Sequence, residues 1–243
     1  MNETENRIAM WSGARTISSY LLRAFENRTD TQVLDEPFFA YYLTHTGIEH
    51  PGRSAILKDA VTDAVAIEAT LCAPLEAGKT IIYQNHMSQH QLIGMDQSWL
   101  QHMDHAFLIE DPVYVLARYK PSDGPLSISD LGLPQQLSMF DYIADKFGKT
   151  PPVVDAADIR KNPAEMLRKL CVTLGISFDE AMLSWPAGSR ATDGAGAPWR
   201  FSNIEASTGF EKPLGRARRL DESVSELADL AMTYYDRLSR YRL

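Results

Sequence analysis

Residues 12–19 read SGARTISS and combine one arginine with small and hydroxyl side chains. When such a turn joins a strand to a helix, it points several backbone N–H groups into one concavity, and the helix N-terminus adds positive potential. Arg15 would contribute a rigid cationic fork, and the hydroxyls of Thr16, Ser18 and Ser19 would contribute donors. The pattern predicts a phosphate or sulfate site, although a Ser/Thr helix cap with Arg15 in solvent fits it equally well.

One carboxylate and two histidines are candidate proton acceptors. Glu36 follows an apolar run, and a carboxylate in a half-buried cleft can accept a proton near neutrality. The alternative is a helix-capping role just before Phe38. His86 and His90, in the stretch NHMSQH, are four positions apart and share a face if the segment is helical. The stretch lacks the third ligand and the glutamate of a histidine-based zinc motif, so we predict no metal site and interpret His90 as structural.

Residues 73–80, APLEAGKT, match a relaxed phosphate-loop pattern that ends in Gly78, Lys79 and Thr80. A working loop of that kind follows a strand and opens a helix. Here the stretch follows a helical pattern and leads into an apolar run, so its context is reversed. We therefore interpret it as a plain connection, with Lys79 as surface charge.

The apolar pattern indicates which elements position these residues, because short apolar runs alternate with amphipathic segments of helical period. The predicted strands are residues 8–11, 31–34, 80–83, 106–109 and 152–155. The predicted helices are residues 17–25, 56–71, 112–119, 133–147, 164–174 and 220–240, and a further helix begins at residue 39. This alternation predicts an α/β fold with a parallel sheet, whose ligands bind beyond the carboxyl ends of the strands.

Length and charge limit the possible functions. The chain has 243 residues, which suits one domain over residues 1–243 with a helical C-terminal tail from about residue 220. Its net charge of −8 argues against nucleic acid and anionic membrane as partners, since both need a basic field. Two isolated cysteines, a polar acidic beginning and the lack of a membrane-length apolar run predict a cytoplasmic protein in a reduced compartment.

The stretch GARTISSYLL resembles the 5′-phosphosulfate-binding loop of sulfotransferases that use 3′-phosphoadenosine 5′-phosphosulfate (PAPS). Further stretches, DEPFF, HPGR, NHMSQH, EDPVYVLARY, GLPQQ and STGF, resemble bacterial sulfotransferase-like proteins over nearly the whole chain. The resemblance implies a three-layer P-loop-like fold. It also implies transfer of a sulfuryl group from PAPS to a hydroxyl or amine of a small-molecule acceptor, without a metal, by a monomer or homodimer.

The resemblance implies roles for individual residues as well. Arg15 would be the catalytic basic residue of the loop, and Ile17 stands where a glycine is usual. Either Glu36 or His86 would be the general base that takes the acceptor's proton. The residues implied to bind PAPS are Ser12, Gly13, Ala14, Arg15, Thr16, Ile17, Ser18, Ser19, Arg118, Arg190 and Arg200.

The stretch EDPVYVLARY departs from that family at two positions. Related proteins usually carry an arginine and, eight positions later, a serine, and these two groups bind the 3′-phosphate of PAPS. This chain has Glu110 and Arg118 there. We expect Arg118 to supply the positive charge for the 3′-phosphate and Glu110 to orient it through an ion pair, whereas a plain surface salt bridge is the alternative.

Two other functions stay open. A kinase-like phosphotransferase would need a carboxylate to hold Mg²⁺ near the loop, such as Asp35 or Asp111. A non-catalytic protein of the same fold would bind a metabolite or a partner. The sequence does not name the acceptor, because acceptor pockets are built from variable loops.

Overall fold

The structure, a computed structural model, describes residues 5–119, 126–194, 196, 202–213, 215, 220 and 222–243. These residues form a five-stranded sheet in which all neighbouring strands are parallel. The strands are β1 (Asn6–Ser12), β2 (Thr31–Asp35), β3 (Ile81–Met87), β4 (Asp104–Ile109) and β5 (Val153–Asp155), in the order β2-β3-β1-β4-β5. The predicted strands and the parallel α/β sheet are confirmed.

Helices cover both faces of this sheet. Along the described chain they are α1 (Ser18–Glu26), α2 (Phe39–Thr46), α3 (Arg53–Asp59), α4 (Ala64–Leu71), α5 (Pro112–Leu116), α6 (Leu133–Phe147), α7 (Ala156–Lys161), α8 (Pro163–Thr173), α9 (Ser202–Glu205) and α10 (Glu222–Ser239). Short 3₁₀ helices lie at Ser88–His90, Ser98–His102 and Glu180–Leu183. In the part of the chain that the structure describes, no helix combines the length and the apolar character needed to cross a bilayer.

The single helix predicted for residues 56–71 is wrong. The chain forms α3 and α4 there and breaks between them, where Ala60 has an extended backbone. The Asp63 side chain accepts a 2.8 Å hydrogen bond from the Ala66 N–H and so caps the start of α4. A capping aspartate inside an apolar period therefore ends one helix and begins the next. The helix predicted for residues 112–119 is also shorter than expected, since α5 ends at Leu116.

The phosphate-loop-like stretch of residues 73–80 joins α4 to β3. Lys79 Nζ donates a 3.0 Å hydrogen bond to the carbonyl oxygen of Thr29. The interpretation of this stretch as a plain connection is confirmed.

Side-chain alternation along the strands divides the core into two layers, one on each face of the sheet. Ile8 and Met10 of β1 belong to the layer that contains α1 and α8, whereas Ala9 and Trp11 belong to the layer that contains α6 and α10. Leu238 of α10 is fully buried in this second layer. The helix predicted as a C-terminal tail, α10, thus packs against one face of the sheet.

β1 and β4 are neighbours in the sheet, and the connection that leaves β1 leads to β2 on one side whereas the connection that leaves β4 leads to β5 on the other. The loops that follow β1, β2, β3 and β4 begin at one edge, which is where open parallel sheets bind ligands. A cavity of about 160 Å³ lies at the opposite edge, lined by residues that include Met103, His105 and Pro152. Its position separates it from the groups predicted to do chemistry.

Two buried histidines lie in the second layer. The His86 ring stacks on Trp11 with ring centroids 4.7 Å apart, and Trp11 Nε1 donates a 3.2 Å hydrogen bond to His105 Nδ1. Burial, reinforced by the neighbouring histidines, lowers the pKa of His86 to about 3. Burial also lowers the pKa of His105 to about 4. Both rings are therefore neutral at neutral pH.

We expect the free energy of unfolding to decrease as the pH is lowered from 7 to 5. In the unfolded chain, His86 and His105 have an ordinary pKa of 6.5 and take up protons between pH 7 and pH 5, whereas in the folded chain they stay neutral. Each residue therefore lowers the free energy of unfolding by about 2 kcal/mol over this range. Urea unfolding at the two pH values measures the difference. His86→Gln should remove about half of this dependence. The same pH dependence in wild type and His86→Gln would contradict this account.

Candidate active site

The β1–α1 loop, residues 13–17, is held against Leu131. A Cβ on Gly13 would lie 2.7 Å from the Leu131 carbonyl oxygen, so the close approach requires glycine. Ala14 donates its N–H to the same oxygen at 3.0 Å. Just before the loop, the buried Ser12 hydroxyl contacts Met87 Sδ at 3.4 Å. These three residues, predicted to bind the donor, are placed so that they hold the loop in position.

The N-terminus of α1 has no side-chain cap. Ile17 occupies the cap position, and its side chain is buried in the first core layer. Ser18 is buried, Ser19 is half-buried, and Thr16 Oγ1 lies 3.4 Å from the Gly13 carbonyl oxygen. Because no side chain caps the first-turn N–H groups, they and the helix dipole can stabilise a phosphate or sulfate at this end of α1.

Arg15 is bonded to the end of α5. Its φ of 56° lies in the left-handed region, which costs a non-glycine residue about 1 kcal/mol or more. Its Nη1 donates to the Arg118 carbonyl oxygen at 3.0 Å, and Arg118 Nη1 donates to the Arg15 carbonyl oxygen at 2.6 Å. The Arg15 guanidinium also lies 4.0 Å from the ring centroid of Tyr119. This reciprocal pairing fixes the strained residue and keeps an exposed cation at the mouth of the loop.

Glu110, directly after β4, lies between two arginines. Arg118 Nη2 donates to its Oε1 at 2.6 Å, and Arg160 Nη1 of α7 donates to the same oxygen at 2.9 Å. The side chains of Glu110 and Arg160 are each 2% exposed, and that of Arg118 is 31% exposed. The predicted ion pair between Glu110 and Arg118 is therefore present. The Glu110 carboxylate is buried, so the pair is not a plain surface salt bridge.

The arginine cluster extends to α1 through Glu211. Arg160 Nη2 donates to Glu211 Oε2 at 3.1 Å, and the Tyr20 hydroxyl donates to Glu211 Oε1 at 3.0 Å. Burial and the charge of Glu211 raise the pKa of Tyr20. Burial alone would lower the pKa of Arg118, but its hydrogen bond to the Glu110 carboxylate raises it. The roles of Arg160, Glu211 and Tyr20 were not predicted from the sequence, since the one local signal was the STGF stretch that precedes Glu211.

Glu36 follows β2 at the same edge of the sheet. It is 6% exposed, and its N–H donates a 2.9 Å hydrogen bond to the carbonyl oxygen of Asn85 on β3. Its φ is 47°; among the described residues, Arg15 is the other non-glycine residue with positive φ. β3 separates β2 from β1, which puts the two strand axes about 10 Å apart. The structure thus places both strained residues on one ligand-binding edge.

The two histidines of NHMSQH lie among aromatic rings. His86 is 1% exposed and lies beside Trp11 and Trp99, with its Nε2 3.0 Å from Gln84 Oε1. His90 stacks on Phe39 with ring centroids 5.3 Å apart, which fits its interpretation as structural. The base role of His86 stays a prediction, and its position inside the second core layer does not favour it.

Arg190 lies at the far end of α1 from the loop. Its Nη1 donates to Glu26 Oε2 at 3.1 Å and its Nη2 donates to the Pro186 carbonyl oxygen at 3.2 Å. Glu26 ends the nine-residue helix α1, which is about 12 Å long from Ser18. The structure therefore does not bring Arg190 to the β1–α1 loop, and Arg200 lies outside the described residues.

The two aspartates considered for Mg²⁺ have other roles in the structure. Asp35 Oδ1 accepts from Asn85 Nδ2 at 2.7 Å, and its Oδ2 accepts from the Gly194 N–H at 3.1 Å. Asp111 caps α5 by accepting a 2.8 Å hydrogen bond from the Val113 N–H. Across the residues that the structure covers, no group of three or more His, Cys, Asp and Glu side chains is arranged to hold a metal ion.

Comparisons with family models and with solved structures identify the family and the fold. A family model described as a sulfotransferase domain matches residues 6–241, and the chain belongs to this sulfotransferase family. In structure it is similar to a sulfotransferase from Alicyclobacillus acidocaldarius, with a TM-score of 0.59, 14% identity and coverage of 98% of this chain and 95% of that one. It is also similar to the sulfotransferase domain of the Synechococcus PCC 7002 olefin synthase, with a TM-score of 0.51, 15% identity and coverage of 95% and 96%. At these identities the two structures establish the fold.

In sequence, the chain is 31% identical over 229 residues to branched-chain-amino-acid aminotransferase-like protein 1 of Arabidopsis thaliana. That match covers 94% of this chain and 41% of the relative. The chain thus spans about two fifths of the relative's length, and the relative's name describes that longer protein.

Gly13→Ala tests how the loop is positioned. The added Cβ would meet the Leu131 carbonyl oxygen at 2.7 Å, so the loop or residue 131 must move, and we expect the free energy of unfolding to decrease by about 1–3 kcal/mol. Urea unfolding measures this change. In Gly215→Ala, where a Cβ would have nothing within 4 Å, the change should stay within about 0.5 kcal/mol. Equal stabilities of the two variants would contradict the described loop packing.

Proposed function

We propose that the chain transfers a sulfuryl group to a hydroxyl or amine of a small molecule from a nucleoside 5′-phosphosulfate, the donor class that includes the PAPS implied by the resemblance. The observation that carries the proposal is the uncapped N-terminus of α1 beside the strained Arg15, at the carboxyl edge of a parallel sheet. In a sulfotransferase domain, these backbone N–H groups and the arginine are the hydrogen-bond donors that suit a phosphosulfate.

The reaction needs charge stabilisation where the bridging oxygen leaves. The acceptor's oxygen or nitrogen forms a bond to sulfur, and the bond between sulfur and the 5′-phosphate oxygen breaks with its electron pair on that oxygen. The first-turn N–H groups of α1 and the Arg15 guanidinium would stabilise the charge that develops there. The products are a sulfated acceptor and a nucleoside 5′-phosphate.

Glu36 is the better candidate for the base that takes the acceptor's proton. It sits at the carboxyl end of β2, about two strand spacings from the loop, and its backbone φ of 47° is a strain of the kind that is concentrated at functional sites. His86 has the opposite surroundings, because its stacked ring is 1% exposed and the low pKa of about 3 makes it a poor proton acceptor near neutrality.

Titration calorimetry with adenosine 5′-phosphate and adenosine 3′,5′-bisphosphate, the nucleotide products of donors without and with a 3′-phosphate, tests the donor site directly. We expect at least one of them to bind without added metal, and we expect Arg15→Ala to weaken that binding by roughly 1.5–3 kcal/mol, the contribution of a charge-assisted hydrogen bond. Arg190→Ala removes the arginine at the other end of α1 and should leave the affinity unchanged. Binding of ATP with Mg²⁺ but of neither of these nucleotides would favour a kinase-like function instead.

Glu36→Gln separates chemistry from donor binding. The amide has the shape of the carboxylate but does not accept the proton, so we expect kcat to decrease by about 10²–10⁴-fold while nucleotide affinity stays the same. The assay follows transfer of labelled sulfur from adenosine 5′-phosphosulfate or PAPS to a panel of small alcohols, phenols and amines. His86→Gln, in folded protein, should keep most of the activity. A larger loss in His86→Gln than in Glu36→Gln would reverse the assignment of the base.

A further inference from the structure

We propose that Glu110 fills, with its own carboxylate, an anion site built by Arg118 and Arg160, so that the chain takes nucleotides with a free ribose 3′-hydroxyl rather than a 3′-phosphate. This inference rests on the proposed function and names the donor class within it. It assigns Glu110 as the residue that determines specificity.

The two arginines form a strong anion site because they approach from different elements. Arg118 lies two residues after α5 and Arg160 belongs to α7, and both donate to Glu110 Oε1, at 2.6 and 2.9 Å. Arginine forks of this kind bind carboxylates and phosphates alike. The positive charge of the site is thus already matched by a side chain of the chain itself.

This site lies next to the β1–α1 loop. Arg118 donates to Glu110 through Nη2, and its Nη1 donates to the Arg15 carbonyl oxygen at 2.6 Å. Glu110 also lines a narrow cleft together with Gly13, Ala14 and Thr16. A nucleotide whose 5′-phosphosulfate lies at the N-terminus of α1 therefore has its sugar close to Glu110.

The wall of the cleft presents acceptors. Glu110 Oε2 and Gln136 Oε1 are buried and have no hydrogen-bond partner among the described residues, and both residues line the cleft. The orientation of the Gln136 amide is fixed, since its Nε2 donates to the carbonyl oxygens of Trp11 and Leu108 at 3.0 and 2.8 Å. Two acceptors that line one cleft can pair with a hydroxyl, which donates, and repel a phosphate, which accepts.

The ion pairs lead to the same conclusion. Arg118 and Arg160 both donate to Glu110 Oε1, so a 3′-phosphate could bind them only if the Glu110 side chain moved and released both arginines.

Calorimetry with adenosine 5′-phosphate and adenosine 3′,5′-bisphosphate tests the proposal on the folded chain. In the wild type we expect the bisphosphate to bind no more than about threefold tighter than the monophosphate. In Glu110→Ala, which vacates the two arginines, we expect the bisphosphate to bind at least about tenfold tighter than in the wild type, with little change for the monophosphate. Glu110→Ser serves the same purpose if the alanine variant does not fold.

Two controls locate the effect. Adding Arg118→Ala to Glu110→Ala should abolish the gain for the bisphosphate, because one arm of the anion site is lost. Glu165→Gln, which removes an exposed helix carboxylate, should change neither affinity. A wild type that prefers the bisphosphate by tenfold or more, or a Glu110→Ala variant without any gain, would overturn this inference and leave the proposed function standing. If neither nucleotide binds the folded wild type, the proposed function fails as well.

Discussion

A buried carboxylate is stable only when positive charge and hydrogen bonds compensate for its lost hydration, and this constraint at Glu110 organises the ligand-binding edge. The residue follows β4, and its two arginine partners bring α7 and the end of α5 to the same point. Through Arg118, the cluster also reaches the carbonyl oxygen of Arg15. The charge network therefore sets the conformation of the β1–α1 loop as well as its own local packing.

The same edge carries the backbone strain of the described chain. Arg15 and Glu36 have φ values of 56° and 47°, and each is stabilised by neighbours, Arg15 by Arg118 and Glu36 by its N–H bond to Asn85. Strain of this kind persists where the surrounding structure overdetermines the backbone and where function requires the resulting geometry. In a sulfotransferase domain, the two residues are consistent with one group that stabilises charge and another that takes a proton.

The fold was largely predictable because its signals are local. The five apolar strands and the Gly-Ala-Arg turn after β1 are each contained within a few residues, and Glu110 and Arg118 are separated by eight. The break between α3 and α4 was missed because the cap at Asp63 interrupts an otherwise continuous helical pattern.

Arg160 and Glu211 were missed for a different reason. Arg160 contacts Glu110 across 50 residues of sequence and Tyr20 contacts Glu211 across 191, and no spacing rule connects such pairs. The burial of His86 was also hidden, since the rings around it come from several elements.

We propose that a sulfuryl group moves from donor to acceptor at this edge of the sheet. The most direct measurement is single-turnover transfer of labelled sulfur from a nucleoside 5′-phosphosulfate to a mixture of small alcohols, phenols and amines, comparing wild type with Arg15→Ala. In the wild type we expect a labelled acceptor and one equivalent of nucleoside 5′-phosphate to appear together, and in the variant we expect both to form at least about tenfold more slowly. Equal rates in the two proteins, or nucleotide binding with no labelled acceptor from any class in the mixture, would contradict it.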